Sequence, residues 1–476
     1  MNFNNLTLTS YIAWVRDGSI DPKQVLDYYL EQAQNDSNNY WINLTADYAY
    51  EHLDHVKSLP LAAAPIAIKD IINVTGTPMT GASKILSDYI SAYTATSYAK
   101  LESAGWVMMG KTNMDEFAQW WSGENSAFWP SRNPYDLSRV TGGSSSGSAG
   151  AVAAGQCIAA LGTDTGGSIR QPASFCGIVW VKPTYGRVSR YGVQAMTSWF
   201  DQVWVLTKTV DDASLLLQSI AGYDDRDATS QQRDDHLTWT SNLPDPKGLK
   251  LCVLDEFMNS DGLDPLIRAR VEEIIVKLES QWYVVDKVSM PLIDYALAVY
   301  YIMVPAQVST NMARYDGMRF GLQDDTSNYP DLKSYYADIR TRGFGDEVIR
   351  RILTGTHVLS AWYYDAYYNK ALRVQQALKS EFARIFTSYD IIIGPTSPVF
   401  PWKIGDHEDD PVSDYLADIY TVPVNIAWLP AMSVPVGTAQ VEWSQLPIGL
   451  HMIANHWRED QLFALGKVIE QMNFTV

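Results

Sequence analysis

Serine hydroxyls set among glycines offer the plainest chemistry in this chain of 476 residues. Residues 142–170 read GGSSSGSAGAVAAGQCIAALGTDTGGSIR and hold two knots, Gly142-Gly143-Ser144-Ser145-Ser146-Gly147 and Thr163-Asp164-Thr165-Gly166-Gly167-Ser168. Glycine clusters let backbone N–H groups approach a ligand closely, and successive N–H groups in such turns form anion-binding concavities. A serine beside such a nest has what acyl transfer needs: a hydroxyl nucleophile and donors for the oxyanion its attack creates. Two rival readings lack their context. Gly143 to Gly147 fit the G-x-S-x-G nucleophile elbow, but that elbow follows a strand, and residues 137–141 make a poor one. It also needs an acid and a histidine, and His52, His55, His236, His357, His407, His451 and His456 lie in no glycine-flanked motif and read as structural. A phosphate-binding loop would carry Gly-Lys-Ser/Thr, which does not follow. A non-catalytic anion-binding module stays open on these residues alone. Replacing Ser168 separates it from an enzyme, because a binder keeps its affinity and an enzyme loses turnover.

The elements that must position these loops are read from periodicity and punctuation. Between the knots, the alanine-rich residues 149–161 predict a closely packed helix. Residues 61–69, LAAAPIAIK, predict a buried strand, as do 107–109, 249–254, 389–394 and 432–436. Asp21-Pro22 and Asp264-Pro265 each place a capping side chain before a proline at the first helical position, predicting helices over 23–34 and 264–278. Helices are also predicted over 97–104, 210–220 and, as one long region, 292–319. Strands alternating with helices indicate an α/β protein with a mostly parallel sheet. No repeat, low-complexity tract or linker interrupts the chain, and the polar residues 231–246 read as a surface loop.

Composition narrows the class. Hydrophobic residues make up 46% and charged residues 19%, an ordinary globular balance. The apolar runs predict no transmembrane helix, and residues 1–14 lack the basic and apolar regions of a signal peptide. Three scattered cysteines, Cys157, Cys176 and Cys252, fit neither a disulfide framework nor a zinc site and favour a reducing cytoplasm. A formal net charge of −18 argues against a chain that grips nucleic acid by itself, since that affinity comes mainly from Lys and Arg on phosphates.

The two knots resemble the signature of the amidase signature family almost residue for residue, with Ser146 where a glycine is usual and Thr163 where a serine is usual. The resemblance implies a single domain with a large mixed, mostly parallel sheet covered by helices on both faces. Within it lie an N-terminal helical region (1–60), the signature core (61–215), a more variable helical region (216–345) and a C-terminal part that completes the pocket (346–476). It implies a Ser-Ser-Lys catalytic unit in which Ser168 is the nucleophile, Ser144 the bridging serine and Lys69 the base. The backbone N–H groups of Thr165, Gly166, Gly167 and Ser168 form the oxyanion hole, Asp164 and Arg170 support the loop, and the peptide bond before Ser144 is cis. The chemistry is coherent, because lysine is a base only when neutral and apolar neighbours such as Ile66, Ala67 and Ile68 depress its pKa.

Stretches outside the signature are similar to one branch of the family, the glutaminase subunits of three-subunit tRNA-dependent amidotransferases. They are 110–118 (GKTNMDEFA), 124–128, 182–192, 200–203, 344–356 (FGDEVIRRILTGT), 363–371 and 409–427. That branch implies hydrolysis of glutamine through a glutamyl–serine ester. The ammonia passes to the B subunit, which uses ATP and magnesium to amidate Glu-tRNA(Gln), and the C subunit completes the heterotrimer; the glutaminase chain itself carries no cofactor or metal. Arg351 is then the partner of the glutamine α-carboxylate, Asp418 of its α-amino group, and Tyr301 a support beside Tyr300. The alternative is a stand-alone amidase on other carboxamides. Against the same branch, Trp120, Trp129, Trp180, Trp204, Trp362 and Trp428 stand where glycine is expected, and Trp282 draws the same suspicion. Each such residue is expected to overpack its site, and the pattern suggests a UGA codon that the source reads as glycine, the alternative being true divergence with compensating cavities.

Overall fold

The computed structural model describes residues 2–406, 416–472 and 474. Residues 409–415 of the resemblance, His407 and the side chain of His236 lie outside what it describes. The strands are β1 (Trp41–Leu44), β2 (Ala64–Lys69), β3 (Trp106–Thr112), β4 (Arg132–Asn133), β5 (Asp136–Val140), β6 (Ala159–Asp164), β7 (Val179–Lys182), β8 (Gln202–Thr207), β9 (Leu251–Leu254), β10 (Val285–Val288), β11 (Ile391–Pro395), β12 (Ala431–Val441) and β13 (Ser444–Ala454). All but β4 and β5 join one sheet in the order β1-β3-β2-β6-β8-β7-β12-β13-β11-β9-β10. Strands from all four sequence regions therefore share one ladder.

Strands β2, β3, β6, β7, β8, β9 and β11 are buried at every position. Side chains alternate between the two faces of a strand, so such strands must be covered on both. That is why β2 and β3 read as unbroken apolar runs, PIAI and VMM, without polar alternation. The sheet is mixed, and the expected parallel pairing holds only toward its flanks. The pairs β2–β3, β2–β6, β9–β11 and β9–β10 are parallel. Across the centre, β6–β8, β8–β7, β7–β12, β12–β13 and β13–β11 are antiparallel, as is β1–β3 at one edge.

Helix starts follow their capping signals. Asp21 accepts from Lys23 N ahead of Pro22–Gln34, Asp264 from Leu266 N ahead of Pro265–Ser280, and Thr209 from Asp212 N ahead of Val210–Ile220. Four predicted bounds change. Residues 149–161 are not one helix: Ser146–Ala153 is helical, a turn follows at Gly155, and β6 begins at Ala159. Alanine and leucine there pack as a strand between β2 and β8, and tertiary pairing overrides alanine's helical preference. The region 292–319 is helical only to Met312. Residues 432–436 belong to an 11-residue strand, β12, whose hairpin partner β13 leaves no matching signal in the sequence. Residues 137–141, a poor strand by sequence, largely coincide with β5, which pairs with β4 and bridges through Arg139 to Lys403 outside the main sheet.

The helix Pro291–Met312 is long and apolar enough, by length and composition, to cross a membrane, contrary to the sequence expectation. Half of that window is buried in the fold, where it packs on the helices Asp346–Val358 and Asn369–Ile385. Its apolarity is that of a core helix, and it carries Tyr300 and Tyr301 toward the site.

Candidate active site

Lys69 ends β2, so the sheet delivers its amine to the edge where the two glycine knots meet. Its Nζ lies 2.7 Å from Ser144 Oγ, 2.8 Å from Ser145 Oγ and 3.3 Å from the carbonyl of Thr163. Lys69 and Ser144 are wholly buried, and Ser168 keeps 5% of its surface exposed. Burial pulls the Lys69 ammonium down to about 7, against the opposing charges of Asp115, Asp164 and Asp201. Desolvation alone does this; no cationic neighbour is among its causes. A fully buried lysine near neutrality spends much of its time as the free amine, the form that can take a proton.

The knots are held against each other by Ser145, whose N–H donates to Ser168 O at 3.0 Å. Gly143 is irreplaceable sterically, since a Cβ there would stand 2.0 Å from Asp115 Oδ2 and 2.7 Å from Gly123 N. The Gly143–Ser144 peptide bond is cis. Asp115 accepts from the N–H groups of Gly123 and Asn125, both at 3.0 Å, and burial raises its carboxyl to about 7. Its own N–H donates to Ser144 O at 3.1 Å.

The loop that carries Ser168 rests on a buried polar frame. Arg170 pairs with Asp164 at 3.3 Å and donates to Thr421 O at 2.5 Å, to Gly166 O at 3.1 Å and to Asn425 Oδ1. Asn425 Nδ2 closes the ring on Asp164 at 2.7 Å. Thr165 Oγ1 donates to Asp201 at 2.6 Å. Charges buried this deeply persist only when paired or hydrogen-bonded: Arg170 and Asp164 pair with each other, and Asp201 accepts from Thr165, Met196 and Thr197.

Two glycines of the loop abut the residues expected to recognise substrate. A Cβ on Gly166 would meet Tyr300 Oη at 2.5 Å, and one on Gly167 would meet Asp418 Oδ1 at 2.3 Å. The tyrosine pressed on the Ser168 loop is thus Tyr300, whereas Tyr301 faces the indole of Trp121 edge-on at 5.8 Å. Asp418 is buried with Oδ1 unpartnered, and desolvation raises its carboxyl to about 7, aided by Asp164 and opposed by Arg170, Thr421 and Arg351. Arg351 is 4% exposed; its Nε donates to Glu347 at 2.7 Å while Nη2 is buried without a partner. A guanidinium N–H and a carboxyl oxygen, both buried without a hydrogen-bond partner, are donor and acceptor groups that buried polar atoms ordinarily have satisfied.

Trp120 and Trp121 stack at 4.7 Å and sit over this guanidinium, with ring centroids 5.7 and 5.3 Å from Arg351 Cζ. They form an apolar cluster with Phe175, Trp402 and Ala417, the neighbour of Asp418. Trp180 and Trp204 are wholly buried side by side at 5.5 Å, their indole N–H groups without acceptors, next to Arg170. Overpacking is therefore not general. Trp129 and Trp362 are 75% and 90% exposed, and no crowding acts on them.

Sequence reasoning does not single out Ser145, Tyr300, Asp115, Asp201 or Asn425 as parts of the site. Ser145 and Tyr300 each adjoin a residue that it does select, so only geometry separates the pairs. Asp115 lies in the GKTNMDEFA stretch, whose similarity is its one signal. None of the described histidine side chains bonds to Ser144, Ser145 or Ser168.

A profile of the family described as Amidase matches residues 24–463. The chain is 43% identical over 475 residues to the A subunit of the Glutamyl-tRNA(Gln) amidotransferase of Halothermothrix orenii, covering 99% of this chain and 98% of that protein. It is 49% identical over 411 residues to the same-named protein of Clostridium botulinum, covering 86% and 83%. Among solved structures, the A subunit of the Glutamyl-tRNA(Gln) amidotransferase of Thermotoga maritima superposes with a TM-score of 0.83 at 38% identity, over 99% of this chain and 95% of that one. A 6-aminohexanoate cyclic dimer hydrolase reaches 0.84 at 22% identity, a likeness of fold alone.

Proposed function

The chain belongs to the amidase family, and on that premise we propose that it is the glutaminase subunit of a glutamyl-tRNA(Gln) amidotransferase. In this reading Ser168 Oγ attacks the side-chain carboxamide of glutamine. Its proton passes to Ser144 Oγ as the Ser144 proton passes to the neutral amine of Lys69. The oxyanion is held by N–H groups of residues 165–168. The intermediate collapses with the proton returning from Lys69 through Ser144 to the nitrogen, which leaves as ammonia. A glutamyl ester remains on Ser168, and water, activated by the same relay, releases glutamate. The ammonia is used by the partner B subunit, with ATP and magnesium, to amidate tRNA-bound glutamate, and the C subunit completes the assembly in the cytoplasm.

One observation carries the reading: a wholly buried Lys69 with a pKa near 7, 2.7 Å from Ser144 on the loop that is bonded to Ser168. The pair of unpartnered groups, Arg351 Nη2 and Asp418 Oδ1, supports an α-amino acid as the substrate. Co-expression with the B and C subunits encoded by the same source tests it. Co-purification and glutamine-dependent formation of Gln-tRNA(Gln) are expected. Failure to associate, with hydrolysis of simple carboxamides instead, would favour a stand-alone amidase.

A further inference from the structure

Left-handed backbone recurs at two residue types in this chain, at Ala62, Ala63, Ala82 and Ala118 and at four tryptophans, and only the tryptophans carry a bulky side chain. Left-handed φ values, costly for any residue with a Cβ, occur at eleven non-glycine positions among the described residues. Four of them are tryptophan: Trp129 (φ 74°), Trp282 (72°), Trp428 (62°) and Trp457 (66°). Tryptophan supplies only 16 of the 476 residues, so positions taken without regard to type would include less than one. Asparagine, which tolerates this region best after glycine, supplies one, Asn39.

Three of the four sit where hydrogen bonding itself prescribes glycine. After the helix Pro265–Ser280 and its cap Gln281, the N–H of Trp282 donates to Glu279 O at 3.0 Å and that of Tyr283 to Leu278 O at 3.1 Å. After the helix Val422–Ile426 and its cap Ala427, the N–H of Trp428 donates to Asn425 O and that of Leu429 to Val424 O, both at 3.1 Å. Both are complete Schellman closures, whose left-handed position is glycine's. The helix Thr96–Ala104 ends on a left-handed glycine of its own, Gly105. Trp457 is the third residue of the turn from Asn455 to Arg458, closed by Arg458 N to Asn455 O at 3.1 Å; its positive φ at that place is the type II requirement for glycine. Burial does not offset the strain at Trp282, 91% exposed, or Trp129, 75% exposed.

A single residue type recurring at glycine-demanding positions points to a single codon. Tryptophan has one standard codon, UGG, and UGA differs from it only in the third base. We infer that positions 129, 282, 428 and 457 are encoded by UGA and are occupied by glycine in the protein as its source makes it. Trp457 is carried by φ and the turn alone. The inference stands apart from the proposed catalysis, since these four residues are outside the Ser-Ser-Lys unit.

The test is the coding DNA together with peptide mass spectrometry of the protein from its natural source. TGA codons and glycine masses at 129, 282, 428 and 457 are expected. TGG codons, or tryptophan masses in those peptides, overturn the inference, and neither readout depends on folding or activity. A second arm compares Trp282→Gly with Trp282→Ala in the recombinant chain. The denaturation midpoint should rise for glycine and not for alanine, because alanine removes the indole but keeps the Cβ. Equal midpoints would remove the conformational argument.

Discussion

Replacing Lys69 with methionine, close in shape and uncharged, should leave the protein inactive and yet change how its stability depends on pH. The folded chain holds Lys69 at about 7, below its ordinary 10.5. Between those values the unfolded chain binds a proton that the folded chain does not, so unfolding free energy rises with pH at about 1.4 kcal/mol per unit. The penalty of burying this amine is complete below pH 7, where it reaches about 5 kcal/mol, and it disappears above 10.5. From pH 7, where the folded group is half titrated, to pH 9, wild type should gain about 2 kcal/mol on Lys69→Met. Asp115 acts in the same direction. Lys69 lowers its pKa, so without the ammonium its proton is lost at higher pH and the variant loses stability over the same interval. Urea unfolding of both proteins at several pH values reads the difference directly. The bonds lost from Ser144 and Ser145 shift the whole curve by a constant, so only its slope matters. Two unfolding free energies that keep a fixed offset from pH 7 to 9 would refute a depressed lysine.

Substrate recognition and the tryptophan wall give further tests. Asp418, with its carboxyl at about 7, should engage an α-ammonium only above that pH, so KM for glutamine should climb as pH falls through 7. Asp418→Asn should raise KM for glutamine by roughly ten- to a hundredfold, the worth of a charge-assisted hydrogen bond, and spare a carboxamide lacking the α-amino group. Equal losses on both substrates would remove the assignment. Trp120→Gly clears one indole from over the Arg351 guanidinium and should lower KM for glutamine, by about tenfold if one such bond is regained. A KM that stays or rises would show that the indole does not obstruct the site.

Part of this architecture is legible in residues 61–69 and in the glycine knots 142–147 and 163–168, because a buried strand and glycine turns leave strong local signals. β2 ends at Lys69 as its apolar run does, and Asp264-Pro265 marks a helix start that geometry repeats. What is illegible depends on tertiary pairing. β6 reads as helix because its alanines and glycine pack between β2 and β8, where small side chains are a requirement of the neighbours. The hairpin β12–β13 lacks its usual turn signal, since Glu442 and Trp443 occupy the two-residue turn that Asn-Gly ordinarily fills. At the site, the resemblance to the amidase signature points to Lys69, Ser144 and Ser168, but not to Ser145 or Tyr300. A one-residue step turns a side chain from one environment to another, and no spacing argument resolves it.

The central claim is a covalent one, and trapping it is the most direct measurement. Glutamine mixed with the protein at low temperature and quenched in acid should leave a glutamyl ester on the peptide containing Ser168, detected by mass. The ester should be absent from Ser168→Ala, which should also lack glutaminase activity. A glutamyl adduct on Ser144 or Ser145, or a Ser168→Ala protein that still hydrolyses glutamine, would contradict the account.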